Sequence, residues 1–206
     1  MLYFVKTPSW LQALFPSYTW QKKCQEKKIY LTFDDGPHPQ HTTFVLDELR
    51  KINAKATFFC IGKNVDLYPE IYEQILLEGH AVGNHTQNHL RGRVSTNEEY
   101  IANVNEATAS IKSNLFRPPY GSIKKSQAKI LMNENPGFEI IMWTVLSADF
   151  DPNITKEKCL KNVLSKTKNG SIVLFHDSDK ASEKLYYALP KFLKNFNNEG
   201  FTFETL

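Results

Sequence analysis

"IYLTFDDGPHPQHTTFVLDELRKIN" (29–53) runs from a strand through a polar turn into a helix. Ile29 to Phe33 are apolar or β-branched, as a buried strand requires, and "HTTFVLDELRKIN" carries apolar residues at helical spacing. Between them Asp34 and Asp35 sit side by side where the strand stops, followed by Gly36-Pro37. Adjacent carboxylates repel each other unless something offsets their charge, and a bound cation is the simplest candidate. The rest of the chain must then supply that cation's other ligands.

The same strand-then-helix unit recurs along the chain. Strands are expected at about 29–33, 56–60, 80–84, 115–117, 139–145, 171–175 and 201–205, with helical patterns between them. Gly79, Gly170 and Gly200 follow helical patterns as stop signals, and "STNEE" (95–99) opens its helix with a capping-type hydroxyl ahead of acidic residues. Alternating units imply a parallel sheet with helices outside, either a barrel or an open doubly wound sheet. Neither a GxGxxG nor a P-loop follows the first strand, which weakens a nucleotide-binding reading and favours the barrel.

The 206 residues suffice for one domain with a proper core, and 41% hydrophobic with 23% charged residues is ordinary for a globular protein. A net charge of +3 without a dense Lys/Arg block excludes nucleic acid as the expected partner. Three separated cysteines, Cys24, Cys60 and Cys159, read as reduced thiols rather than a disulfide framework or zinc knuckle. The aromatic-rich residues 1–28 are expected to pack on the domain formed by 29–206, with a short amphipathic helix at about 9–15. No apolar run approaches a membrane span and no secretory signal is read, so the expectation from sequence is a cytoplasmic monomer.

In parallel α/β folds, functional groups gather at the carboxyl ends of strands. Here those ends carry Asp34 and Asp35, His85 with His89 close behind, Arg117, Asp149 and His176. A catalytic divalent metal takes three protein ligands and keeps a position open for water. One carboxylate of the Asp pair with His85 and His89 supplies that set, and the second aspartate is then free to act as a base. His176, ending an apolar strand, is placed to donate a proton. Of the other histidines, His38 and His41 read as solvent-facing or one step removed from the metal, and His80 as structural.

These residues resemble the polysaccharide deacetylases, carbohydrate esterase family 4, defined by the NodB-homology domain. "TFDDGP" (32–37), "HTQNH" (85–89), "RPPYG" (117–121) and "LFH" (174–176) are similar to four of its motifs, in family order. The resemblance runs from about Tyr30 to Phe203. It implies a distorted (β/α) barrel of about seven parallel strands with the active site at their C-terminal ends. Asp35, His85 and His89 would hold a divalent metal, zinc first and cobalt or manganese as alternatives. Asp34 would be the general base and His176 the general acid. Arg117 would orient Asp34, Asp149 would set the protonation of His176, and the Tyr120 N–H would stabilise the oxyanion. Leu174 would line the acetyl pocket, while Tyr120 and Trp143 offer aromatic faces to sugar rings, with core packing the other reading of Trp143.

The implied substrate is an acetylated glycan, peptidoglycan or a chitin-like oligosaccharide. Relatives of the family that act on polymers are usually exported. An O-acetyl esterase, a small-molecule amidohydrolase or a non-catalytic glycan binder are the alternatives. One departure stands out: where the family commonly has Asp-x-x-Asp-Trp, this chain has "LSADF" (146–150). Leu146 replaces the first acid and Phe150 the Trp, altering the wall near the substrate, and Asp151 is a candidate to restore the lost charge.

Overall fold

The computed structural model describes residues 3–135 and 137–206. In chain order the elements are α1 (Ser9–Leu14), β1 (Lys28–Asp34), α2 (His41–Arg50), β2 (Thr57–Cys60), α3 (Gly62–Leu67), α4 (Pro69–Leu77), β3 (Ala81–Asn84) and α5 (Asn97–Ala107). There follow β4 (Leu115–Phe116), α6 (Lys125–Glu134), β5 (Glu139–Ile140), β6 (Val145–Leu146), α7 (Lys156–Lys166), β7 (Ile172–His176), α8 (Ser182–Asn198) and β8 (Thr202–Phe203). The strands form one parallel sheet in the order β5-β4-β3-β2-β1-β7-β6, with β8 pairing the start of β1. It is the distorted (β/α) barrel expected, with helices around it.

Alternation along β1 sorts its side chains between two faces. Ile29, Leu31 and Phe33 are fully buried in the layer beneath the helices, against Leu185, Leu189, Phe192 and Phe196 of α8. Each such side chain contributes about 1.5–3 kcal/mol by leaving water. Thr32 and Asp34 point the other way, into the bore, in register with Leu174 and His176 of β7. The period of two therefore delivers a carboxylate and an imidazole side by side at one end of the barrel.

The run 139–145, expected as one strand, is two. β5 pairs β4 at one edge of the sheet and β6 pairs β7 at the other, so residues 141–144 cross the seam between the edges. A single straight strand cannot serve both edges, and the Arg117 guanidinium holds the crossing chain by the carbonyls of Ile141 and Met142.

The N-terminal segment runs along that seam as a strap. Its backbone bonds β6 through Leu146 N–H to Val5 O (2.8 Å), and the crossing segment through Thr7 N–H to Thr144 O (2.9 Å) and Met142 N–H to Thr19 O (2.8 Å). It ends against the turn before β7, where Lys22 N–H donates to Gly170 O at 3.0 Å. Gly170 has φ +77°, and a Cβ there would fall 2.0 Å from the Lys22 carbonyl, so glycine is required for the strap to close. The expected helix is α1, ending at Leu14, and the first two residues of the segment lie outside those described.

Among the described residues no disulfide is formed; Cys60 and Cys159 are buried and Cys24 half-buried. The Thr96 hydroxyl and Glu99 form the capping box anticipated ahead of α5. No described helix is long and apolar enough to cross a membrane.

Candidate active site

A cavity of about 590 Å³ opens at the carboxyl ends of the strands. Asp34, Asp35, His85, His89, Tyr120, Trp143, Phe150, Leu174 and His176 all line it. Arg117 and Asp149 are fully buried behind this wall.

Arg117 sits in the barrel bore, its guanidinium 4.0 Å from the centre of the Phe59 ring. A buried cation is tolerable only with its donors satisfied. Its Nη1 donates to Asp34 Oδ1 (2.7 Å) and Thr32 Oγ1 (2.8 Å), Nε to Ile141 O (3.2 Å) and Nη2 to Met142 O (3.1 Å). Asp34 is thereby fixed through one oxygen, and its Oδ2 lies 3.8 Å from His85 Nε2.

Asp35 turns away from the strand at φ +86°, a left-handed conformation, and His89 (φ 56°) and Tyr120 (φ 61°) share that region. Non-glycine residues adopt it at a cost of about 1–3 kcal/mol each, and such positions cluster at functional sites. Asp35 Oδ1 lies 3.3 Å from His89 Nε2 and 3.8 Å from His85 Nε2, while Ser178 donates to Oδ2 at 3.1 Å. Burial alone would raise the Asp35 carboxyl, but the surrounding histidines and Ser178 outweigh it and hold the group below the usual carboxylate range. Burial and the neighbouring His85 push His89 down to about 4, so that imidazole is neutral at pH 7.

These three side chains fit a divalent cation. His85 Nδ1 lies 2.7 Å from the Arg117 carbonyl, so Nδ1 carries the proton and Nε2 presents its lone pair to the cluster, the arrangement of a metal-ligating imidazole. Asp35 Oδ1 is buried and has no hydrogen-bond partner among the described residues, an expensive condition that a cation would relieve. One ligand atom from each of Asp35, His85 and His89 falls within 4.8 Å of the others.

On the opposite side His176 Nδ1 meets Asp149 Oδ1 at 2.8 Å, and the His176 N–H donates to Asp149 Oδ2 at 2.8 Å. Burial opposes the charged imidazolium, but the Asp149 carboxylate outweighs it and His176 is pushed up to about 10. With Nδ1 tied to Asp149, Nε2 is the nitrogen left to exchange a proton. The next residue, Asp177, is raised to about 7 by burial; it accepts from the Gly36 N–H at 2.9 Å and from the Thr42 hydroxyl, fixing the turn after Asp35.

Several features lay beyond the sequence reading. Thr32 and Ser178 brace Arg117 and Asp35, and the two-residue spacing of Thr32 from Asp34 was the available signal for the first. Arg91 and Lys180 also line the cavity, the Arg91 guanidinium lying 4.2 Å from the Tyr120 ring centre. Asp151 does not restore the charge lost at Leu146: it accepts from the Tyr3 hydroxyl at 2.6 Å and lies outside the cavity wall. His41 is buried rather than solvent-facing, held between Tyr186 and Asp179. His80 is buried, its Nδ1 accepting from the Ala56 N–H at 3.3 Å.

Residues 21–135 match the family model described as polysaccharide deacetylase. A peptidoglycan-N-acetylglucosamine deacetylase of Bacillus cereus is 36% identical over 194 residues, covering 91% of this chain and 90% of that one. A chitooligosaccharide deacetylase of Azorhizobium caulinodans is 37% identical over 160 residues, 74% of each chain. Among solved structures, the Bc1960 peptidoglycan N-acetylglucosamine deacetylase, in complex with a naphthalenyl N-oxidanyl-benzamide, superposes with a TM-score of 0.83 at 30% identity, covering 96% of this chain and 94% of that one. Matches of this extent, on a barrel that carries the motif residues around one cavity, leave a single assignment: the chain belongs to the polysaccharide deacetylase family and is an enzyme of that family.

Proposed function

We propose that the protein hydrolyses the N-acetyl group of N-acetylglucosamine residues in peptidoglycan or chitin-like glycans, in a metal-dependent reaction. The observation that carries this reading is the orphaned Asp35 Oδ1 within the Asp35, His85 and His89 set, flanked by a clamped carboxylate on one side and a charged imidazole on the other. The named activities of the relatives support the substrate class.

Asp35, His85 and His89 would hold the ion. When bound, a divalent cation supplies Lewis-acid polarisation of water and of the acetyl carbonyl. Asp34, not needed as a ligand, removes a proton from water as the water oxygen bonds to the acetyl carbon, and the carbonyl electron pair moves onto its oxygen. The Tyr120 N–H is the protein donor for that oxyanion. As the C–N bond breaks, His176 Nε2 gives its proton to the departing amine, releasing acetate and a free amino sugar. Each proton transfer contributes on the order of 10²- to 10⁴-fold. Arg117 keeps Asp34 aimed through the bond to its Oδ1, and Asp149 keeps His176 charged until it is used.

The test is acetate release after chelation and re-addition of zinc, cobalt or manganese, on N-acetylglucosamine oligomers, peptidoglycan, acetylated xylan and an aryl acetate. Asp34→Asn serves as control, because the Asn oxygen can still accept from Arg117 but cannot take a proton. Metal-dependent release from the N-acetylated glycans, lost in the control, is the expected result. Release from O-acetyl esters alone would transfer the site to esterase chemistry, and an Asn variant that kept most of the activity would remove Asp34 as the base.

A further inference from the structure

The strap along the barrel seam encloses a second cavity, of about 250 Å³. Phe4, Phe15 and Tyr18 line it from the strap side, and Arg93 stands exposed at its edge. Its inner wall is made by Tyr120, Trp143 and Leu146, which also line the 590 Å³ cavity, so the two are neighbouring parts of one cleft. Leu146 stands where the family pattern has an acid; here an apolar side chain leaves the shared wall uncharged.

Two aromatic rings in this cleft are unusually open: Phe4 is 52% exposed and Tyr120 48%. Pyranose rings present an apolar C–H face and a hydroxyl edge, so a site for one needs an aromatic face with hydrogen-bond donors close by. Phe4 provides an open ring, Tyr18 lines the pocket with its ring stacked on Phe15 at 5.2 Å between centres, and the Arg93 guanidinium provides donors. Joined to the active-site cavity, such a pocket would receive the part of a glycan that extends beyond the reacting sugar.

We propose that the cavity between strap and barrel is a second saccharide subsite, which binds a pyranose ring of the glycan beside the one being deacetylated. The proposal rests on the deacetylase reading for its choice of ligand. It also assigns the strap a part in substrate recognition in addition to closing the barrel.

The test is a binding series on the full-length, metal-loaded Asp34→Asn protein, titrated calorimetrically with N-acetylglucosamine oligomers of one to four rings. Affinity should rise about fivefold to tenfold at the ring that reaches the strap, the worth of one good aromatic contact. That step should collapse when Phe4→Ala is added and shrink when Arg93→Ala is added. Both side chains are exposed, so neither truncation should unfold the protein, and thermal melts check this. A series without a step, or a step retained in both variants, overturns the subsite. Sedimentation with phosphatidylglycerol vesicles that Phe4→Ala abolishes, with the glycan series unchanged, would assign the exposed aromatics to a lipid surface instead. Wild-type protein that releases no acetate from any oligomer would sink the deacetylase reading while the binding step still decides the subsite.

Discussion

Two clusters of two histidines and one aspartate follow the strands at the same end of the barrel. In each, Asp35 with His85 and His89, and Asp179 with His38 and His41, one ligand atom per residue lies within 4.8 Å of the others. Composition and spacing do not separate them; hydrogen bonding does. In the second cluster His38 Nδ1 accepts from the N–H groups of Gln40 and His41, at 3.2 and 3.3 Å, as α2 begins. The neutral ring then carries its proton on Nε2, which faces Asp179 Oδ1 at 3.5 Å and has no lone pair to give a metal. His41 is bonded at both nitrogens, to Tyr186 at 2.8 Å and Asp179 at 2.9 Å. In the first cluster His85 donates from Nδ1, its Nε2 is free, and a buried carboxylate oxygen goes unpaired. A cation site is thus defined by the state of each ring's second nitrogen, and the His38 cluster is a structural clasp joining α2 to the start of α8.

Variants can break this distinction. The largest effect is expected for His85→Ala, which should abolish acetate release together with bound metal; turnover at wild-type rate would return the catalytic ion to the other cluster. Next, Asp149→Asn should lower kcat by about 10²- to 10⁴-fold. It should also change the pH profile. Against the opposing effect of burial, His176 is held up to about 10 first by Asp149 and then by the charges of Asp35 and Asp34, so the wild-type imidazole stays protonated through neutral pH. Without that carboxylate, burial draws its pKa down, and the residual rate should fall as pH rises through the new, lower value. A profile that kept the wild-type shape would remove Asp149 from the proton relay. The smallest effect is expected for His41→Ala: a loss of about 0.5–1.5 kcal/mol in denaturant unfolding, because its partners Asp179 and Tyr186 are exposed and water can replace the lost bonds, with acetate release retained.

Much of the site was legible because its parts are local: a strand that ends in two aspartates, an H-x-x-x-H pair, an Arg before Pro-Pro and a His after an apolar run each occupy a few consecutive residues. What escaped depends on distant partners. The break between Ile140 and Val145 is set by the opposite edges their strands join and by Arg117 reaching across the bore, and "EIIMWTV" carries neither signal. His41 looks like a polar loop residue until α8 brings Tyr186 against it. The strap's pairing with β6 and with the turn before β7 has no periodicity to betray it, since single backbone bonds leave no pattern in sequence.

The most direct measurement is metal content at equilibrium, by elemental analysis of wild type, His85→Ala and His41→Ala after dialysis against low zinc. One equivalent is expected in wild type and in His41→Ala, and close to none in His85→Ala. Two equivalents in wild type, or a loss of metal in His41→Ala, would contradict the division between the two clusters.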